Sequence, residues 1–229
     1  MAGLPQLLTI KMDLHNLLYL SYLVPADRLR PLVPSGLKLE SLEDKVFISI
    51  VAMQCRRVHL SYLQWPSFGY DQLNLRTYVI DPKTGNPAVY FFQSGVSSKI
   101  IPAATRILGI PWAHISFNLL TERSADGTDF YRAIGNWNGE IEILMKSSLG
   151  KNTPDNIIKH ITEPMAGFIG RGKKLKRIVI EHKVLDVRFL SLSQIKFSLP
   201  VYAGLMAAAE LDKPDSVLIV PQSRFSVFI

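Results

Sequence analysis

Residues Leu73-Asn74-Leu75-Arg76-Thr77-Tyr78-Val79 alternate apolar and polar side chains, and the pattern stops at Asp81-Pro82. A period of two is the signature of a strand with two unlike faces. It places Asn74, Arg76 and Tyr78 on one face and Leu73, Leu75 and Val79 on the other, with Thr77 on the apolar side. Residues 81–87 carry turn chemistry throughout, and Ala88-Val89-Tyr90-Phe91-Phe92 returns as the second arm of a hairpin. Residues 46–53 are β-branched and bulky, as a buried strand should be. Ala125-Asp126-Gly127-Thr128 and Asn138-Gly139 mark two further hairpin turns, between strand-like runs at 128–136 and 140–147. Residues 175–185 and 217–227 complete the predicted strands.

Helical signals are fewer. Residues 25–30 carry a first-turn proline, 97–108 follow a capping serine, and 153–160 begin Thr-Pro as N-cap and first helical residue. Residues 201–211 are Ala-rich and predicted helical. No linker or fixed-period repeat interrupts the 229 residues, so a single domain spanning 1–229 is expected. Its class is α+β, mainly antiparallel β, with a curved or closed sheet and a few peripheral helices.

The one cysteine, Cys55, excludes an internal disulfide and suits a reducing cytoplasm. It shares a strand face with Met53 and Val51, which points to packing rather than nucleophilic use. No basic leader precedes an apolar stretch at the start of the sequence, and the longest uncharged runs, 84–98 and 107–121, are shorter than the roughly 20 residues a spanning helix needs. A cytoplasmic protein without membrane association is expected. The net charge of +7 is divided almost evenly along the chain and gathers once, at Arg171-Gly172-Lys173-Lys174-Leu175-Lys176-Arg177. That run lacks flanking aromatics for base stacking and reads as a solvated loop entering a strand, so nucleic acid is an unlikely partner.

Two local constellations could carry chemistry. The polar face of Asn74, Arg76 and Tyr78 offers a guanidinium fork for a carboxylate or phosphate, unless that face is simply exterior. Trp112 and His114, after Gly109-Ile110-Pro111, would project to one side and set a titratable group beside an aromatic wall, the makings of a pocket for a small organic acid; a core tryptophan with a hydrogen-bonded histidine fits the pattern equally. No phosphate-binding glycine loop or nucleophile elbow is present, and no histidine pair has metal-ligand spacing, so neither a cofactor nor a metal is expected.

Residues 29–39 (Leu-Arg-Pro-Leu-Val-Pro-Ser-Gly-Leu-Lys-Leu) followed by 46–53 resemble the N-terminal portion of acetoacetate decarboxylase. Residues 70–79 (Tyr-Asp-Gln-Leu-Asn-Leu-Arg-Thr-Tyr-Val) with 87–92 resemble the YqjF-like branch of the acetoacetate decarboxylase-like superfamily, a branch of unknown function. Residues 216–220 are similar to the family's last strand. The resemblance implies a cone-shaped closed β-barrel with helices outside, a pocket within it, and homo-oligomers.

The decarboxylase reaction uses a lysine of depressed pKa that forms a Schiff base beside a second lysine, an activation for which that enzyme is the standard example. In the resemblance those lysines align with Trp112 and Ala113. Ser49 stands where the family strand carries a glutamate, Gln72 near a second carboxylate, and Leu23 near a pocket arginine. An active acetoacetate decarboxylase is therefore not expected, and whether the chain is an enzyme of another kind is left open by the residues. The main reading is a protein that binds or transforms a small, anionic organic molecule through Gln72, Asn74, Arg76, Tyr78, Trp112 and His114, with His114 as candidate acid or base. The competing readings are a structural or interaction protein whose barrel is filled by Tyr90, Phe91, Phe92, Trp112 and Phe117, and a binder of anionic polymers.

Overall fold

The structure, a computed structural model, describes residues 8–150 and 153–229. The described residues form fourteen strands of one hydrogen-bonded sheet, eleven along a single path and β2, β3 and β7 paired to its side: β1 (Thr9–Pro25), β2 (Lys38–Leu39), β3 (Ser41–Leu42), β4 (Lys45–Leu60), β5 (Leu63–Ile80), β6 (Pro87–Val96), β7 (Ala113–His114), β8 (Ser116–Arg123), β9 (Asp129–Asn136), β10 (Glu140–Ser147), β11 (Ala166–Ile169), β12 (Lys176–His182), β13 (Arg188–Phe197) and β14 (Ser216–Phe228). The helices are short: α1 (Ala26–Leu29), α2 (Ile100–Ile107), α3 (Asp155–Thr162) and α4 (Leu199–Tyr202). All pairings are antiparallel except those of β6 with β7 and β11. No helix among the described residues is long and apolar enough to cross a membrane.

Strands β1, β4, β5, β6, β11, β12 and β14 pair in that order, and β14 pairs back onto β1 over Thr9–Ser21, so the path closes into a ring. The remaining run, β13-β10-β9-β8, continues from β14 and covers the outside of β1, β4 and β5. The two faces of the shared strands therefore enter different apolar clusters. Ile48, Ile50, Leu73 and Leu75 pack outward against Phe117, Leu119, Ile141 and Ile143. Phe47, Val51, Met53 and Tyr70 face inward with Tyr19 and Leu218. Burial on both faces is why residues 46–53 read as a continuous apolar run. Asp71 ties the layers together: Oδ2 accepts the Leu119 N–H at 2.8 Å and Oδ1 pairs with Arg56 at 2.9 Å.

The hairpins expected at 81–87, 125–128 and 138–139 join β5 to β6, β8 to β9 and β9 to β10. The helix expected from residue 97 starts later, at Ile100, where the Ser98 hydroxyl accepts the N–H groups of Ile100 and Ile101. In α3 the cap is Pro154 rather than Thr153. The helix expected over 201–211 is corrected to α4 and a separate 3-10 turn at Ala208–Glu210, because Gly204 adopts a left-handed φ of 69° that no helix continues through.

Candidate functional site

The ring encloses a cavity of about 370 Å³, and every ring strand contributes to its wall, from Met12 on β1 to Phe225 on β14. Register shifts shape that wall. On β1, Asn16 takes a φ of 49° and the pairing with β4 slips between His15 and Leu18, so Leu14 and Leu17 both face inward. On β6 the register against β5 slips between Leu75 and Arg76, and Phe91 and Ser94 both reach the cavity. On β4, Arg57 at φ 46° accompanies a third slip beside Val58. Bulges re-aim side chains in this way, and they concentrate at sites that must hold a ligand.

The polar groups of the wall gather on β5. Gln72, Asn74 and Arg76 lie on the inward face, one strand repeat apart. Their orientation is set from outside the cavity inward. Buried Cys55 donates its S–H to Gln72 Oε1 at 3.6 Å, and Gln72 Nε2 donates to Asn74 Oδ1 at 3.0 Å. Both amide oxygens are thereby engaged, so toward a ligand Asn74 has its amide N–H groups to offer. Burial pushes the Cys55 thiol up to about 12, against Tyr70 and Arg56, which lower it, so the thiol keeps its proton.

Arg76 is half-buried overall, lines the cavity and has its Nε fully buried. Its Nη2 donates to the Ile161 carbonyl at 2.8 Å and lies 3.4 Å from the Tyr78 hydroxyl. The guanidinium carbon stands 5.1 Å from the Tyr19 ring centroid and 5.5 Å from that of Tyr78. Burial works to lower its pKa, and the Tyr78 and Tyr19 hydroxyls more than offset this, so it stays cationic. Among the described residues no carboxylate lies within 4.0 Å of it, and its Nε is buried without a partner. Tyr19 is raised to about 12, mainly by burial, and Tyr70 is raised well above the usual range by burial and its neighbour Cys55; both are protonated at neutral pH. The wall thus presents hydrogen-bond donors and one positive charge that has no carboxylate partner among the described residues.

Four of the six residues expected at a site, Gln72, Asn74, Arg76 and Trp112, line this cavity. Tyr78 does not; it is fully buried beneath Arg76, with its hydroxyl 2.9 Å from Ser49 Oγ, which in turn lies 2.7 Å from Ser21 Oγ. His114 stands apart, exposed on β7. Trp112 and His114 do not share a side because Trp112 precedes the strand: its N–H donates to the Ile110 carbonyl at 3.0 Å, a tight turn over Pro111. Tyr19, Tyr70, Ser94 and Cys55 complete the polar surroundings; their partners lie on other strands and had no local signal.

No lysine occurs among the described residues lining the cavity. Lys99 is exposed at the start of α2, Lys196 pairs with Glu142 at 3.4 Å on the surface, and Lys176 Nζ donates to the Leu108 carbonyl. No three His, Cys, Asp or Glu side chains among the described residues gather closely enough to hold a metal ion. In the basic run, Arg177 is bound to Asp81 and Arg171 Nε lies 3.4 Å from the Tyr90 hydroxyl.

Residues 11–224 match the DUF2071 family, described as an uncharacterized conserved protein. The chain belongs to that family. This DUF2071 chain is 26% identical to the uncharacterized protein YqjF of Bacillus subtilis (strain 168) over 119 residues, 51% of the chain and 48% of the relative. The match thus spans about half the length of that curated relative. Among solved structures, the enduracididine biosynthesis enzyme MppR with HEPES bound aligns at a TM-score of 0.61 and 12% identity, covering 97% of this chain and 85% of MppR. An acetoacetate decarboxylase-like enzyme from Sphingomonas wittichii RW1 aligns at 0.57 and 10% identity, covering 96% and 89%. The acetoacetate decarboxylase of Legionella pneumophila aligns at 0.56 and 13%, covering 95% and 83%. These likenesses give the DUF2071 chain an acetoacetate decarboxylase-like fold.

Proposed function

We propose that this DUF2071 chain binds a small organic anion inside its ring, a cone-shaped closed barrel in this reading, with Arg76 as the anchor for the acid group. The single observation that carries the reading is the guanidinium of Arg76, its Nε buried without a partner at a mostly apolar cavity and with no carboxylate beside it among the described residues. A buried charge left unpaired costs several kcal/mol, so a site that keeps one is organised for a counter-charge that arrives from outside. Asn74 supplies donors one strand repeat away, where a second oxygen of the ligand would lie.

Acetoacetate decarboxylation by a lysine imine is not part of this reading, since Trp112 occupies the wall where the resemblance aligns the nucleophile. The filled-barrel alternative loses its motivation, because Phe91 and Trp112 border the cavity instead of occupying it. Calorimetry with acetate, pyruvate, acetoacetate and inorganic phosphate, on the parent protein and on Arg76→Met, tests the anchor. Binding of at least one acid that Arg76→Met abolishes is expected. Equal binding by both proteins, or none by either, overturns it. Borohydride added with acetoacetate should leave every lysine unmodified; a reduced lysine adduct would restore the imine mechanism.

A further inference from the structure

We infer that the acid held at Arg76 is a monocarboxylate with an extended, unbranched apolar tail; this rests on the anchor reading above. The cavity is divided along its length. Its polar groups cluster at Gln72, Asn74, Arg76 and Ser94, whereas the wall farther along β5 and its neighbours is apolar, with Phe68, Leu63, Ile10 and Met12. Leu63 and Phe68 belong to that wall and are also 49% and 41% exposed, so the apolar lining runs out to the surface at the end of the β4–β5 hairpin. From Phe68 to Arg76 the strand advances eight residues, about 26 Å at 3.3 Å per residue. Asn74 and Gln72 line the inner half of that path and apolar side chains the outer half, and a three- or four-carbon keto acid at Arg76 would extend no farther than Asn74.

The charge pattern decides what the outer end of the ligand can be. Arg76 and His59 are the only basic side chains of the described lining, and no acidic one accompanies them. His59 Nδ1 lies 2.9 Å from its neighbour's carbonyl, that of Leu60, at the outer end of β4. A second carboxylate or a phosphate part-way along the tail would therefore sit inside the cavity with no basic side chain of the described lining beside it. One negative head, an acceptor oxygen within reach of Asn74, and an alkyl chain leading outward is the occupant that matches every segment of the wall.

A straight-chain series from butanoate to decanoate, titrated by calorimetry, measures this directly. Affinity should rise about fourfold per added methylene, the burial of one CH₂ being worth about 0.8 kcal/mol. Octanedioate should bind at least about tenfold more weakly than octanoate, because its distal carboxylate would be buried unpaired. Ala104, exposed on α2 and part of the lining, is a site for narrowing the cavity: Ala104→Trp should reduce the gain in affinity from butanoate to decanoate. Affinity independent of chain length, or octanedioate equal to octanoate, overturns the tail assignment while Arg76-dependent binding of short acids keeps the anchor. Decanoate binding equally to Arg76→Met and to the parent protein overturns the anchor instead.

Discussion

Arg76 Nη2 donates to the main-chain carbonyl of Ile161 at 2.8 Å, joining positions 85 residues apart. Ile161 lies in the last turn of α3, where carbonyls have no intrahelical partner and carry the negative end of the helix dipole. One arm of the guanidinium is thus held by a helix end, and Nε has no partner among the described residues. That division between a fixed arm and free donors makes Arg76 a positioned receptor rather than a solvated charge.

An acid ligand at 100 times its Kd should stabilise the protein by about 2.7 kcal/mol. For a chain of this size that is a rise of about 5–10 °C in melting temperature. Arg76→Met should show no such rise, and Arg76→Lys a smaller one, because an ammonium cannot make the planar fork. Thermal melts with and without ligand check this; a full shift in Arg76→Met would refute the assignment.

Gly135 on β9 sits against β8 so closely that an added Cβ would lie 2.0 Å from the Ser116 carbonyl oxygen. Gly135→Ala should therefore cost at least about 3 kcal/mol, since both neighbours are ladder backbone and cannot yield locally. At Gly69 on β5 the same added carbon meets nothing closer than 3.6 Å. Gly69→Ala should be neutral or stabilising by about 0.5–1 kcal/mol. Urea midpoints of the two variants should move in opposite directions or differ by this margin.

The Cys55 thiol is fully buried, with its proton retained by a pKa near 12. A thiol-specific reagent at neutral pH should leave it unmodified in the folded protein and label it fully in denaturant, since only the thiolate reacts. Rapid labelling of the native state would show that the inner face of β4 opens readily. Cys55→Ala should also loosen Gln72, whose Oε1 loses its donor, and weaken acid binding less than Arg76→Met does.

The sequence showed those parts of the fold whose cause is local. Alternation over 73–79 put Asn74 and Arg76 on one side, and both line the cavity. The turn residues at 81–87 joined β5 to β6 as expected, because Asp81 closes that turn with its own side chain on the Lys83 N–H and the Thr84 hydroxyl. Strand β1 left no comparable signature: both of its faces are buried over Leu17–Tyr22, and the bulge at Asn16 breaks any period of two. The first part of β5 was masked by Pro66 and Gly69, residues that ordinarily weaken strands. For the site, Ile161, Tyr19 and Cys55 reach Arg76 and Gln72 only once the ring and α3 are in place, so their roles depend on contacts distant in sequence. His114 was expected beside Trp112 from spacing alone, and the turn at Pro111 separates them.

Asp81, whose side chain is 1% exposed, receives both Nε and Nη2 of Arg177 on Oδ2, at 2.8 and 2.6 Å. Burial alone would raise its pKa; the Arg177 fork, the Lys83 N–H and the Thr84 hydroxyl overcome that and hold it below the ordinary value of 3.8. A carboxyl with a depressed folded pKa contributes its stability above the unfolded pKa, and that contribution is lost as pH falls through the folded value. Arg177→Ala leaves a buried carboxylate without its counter-charge and should cost about 3–5 kcal/mol near neutral pH. As the carboxyl becomes protonated the missing partner matters less, so the gap between the parent protein and Arg177→Ala should narrow as pH falls from neutrality through the ordinary carboxyl value of 3.8 and below it. Urea unfolding of both proteins across that range isolates the pair, because every other carboxyl is common to the two. A gap that stays constant with pH would mean that the fork does not set the Asp81 protonation equilibrium.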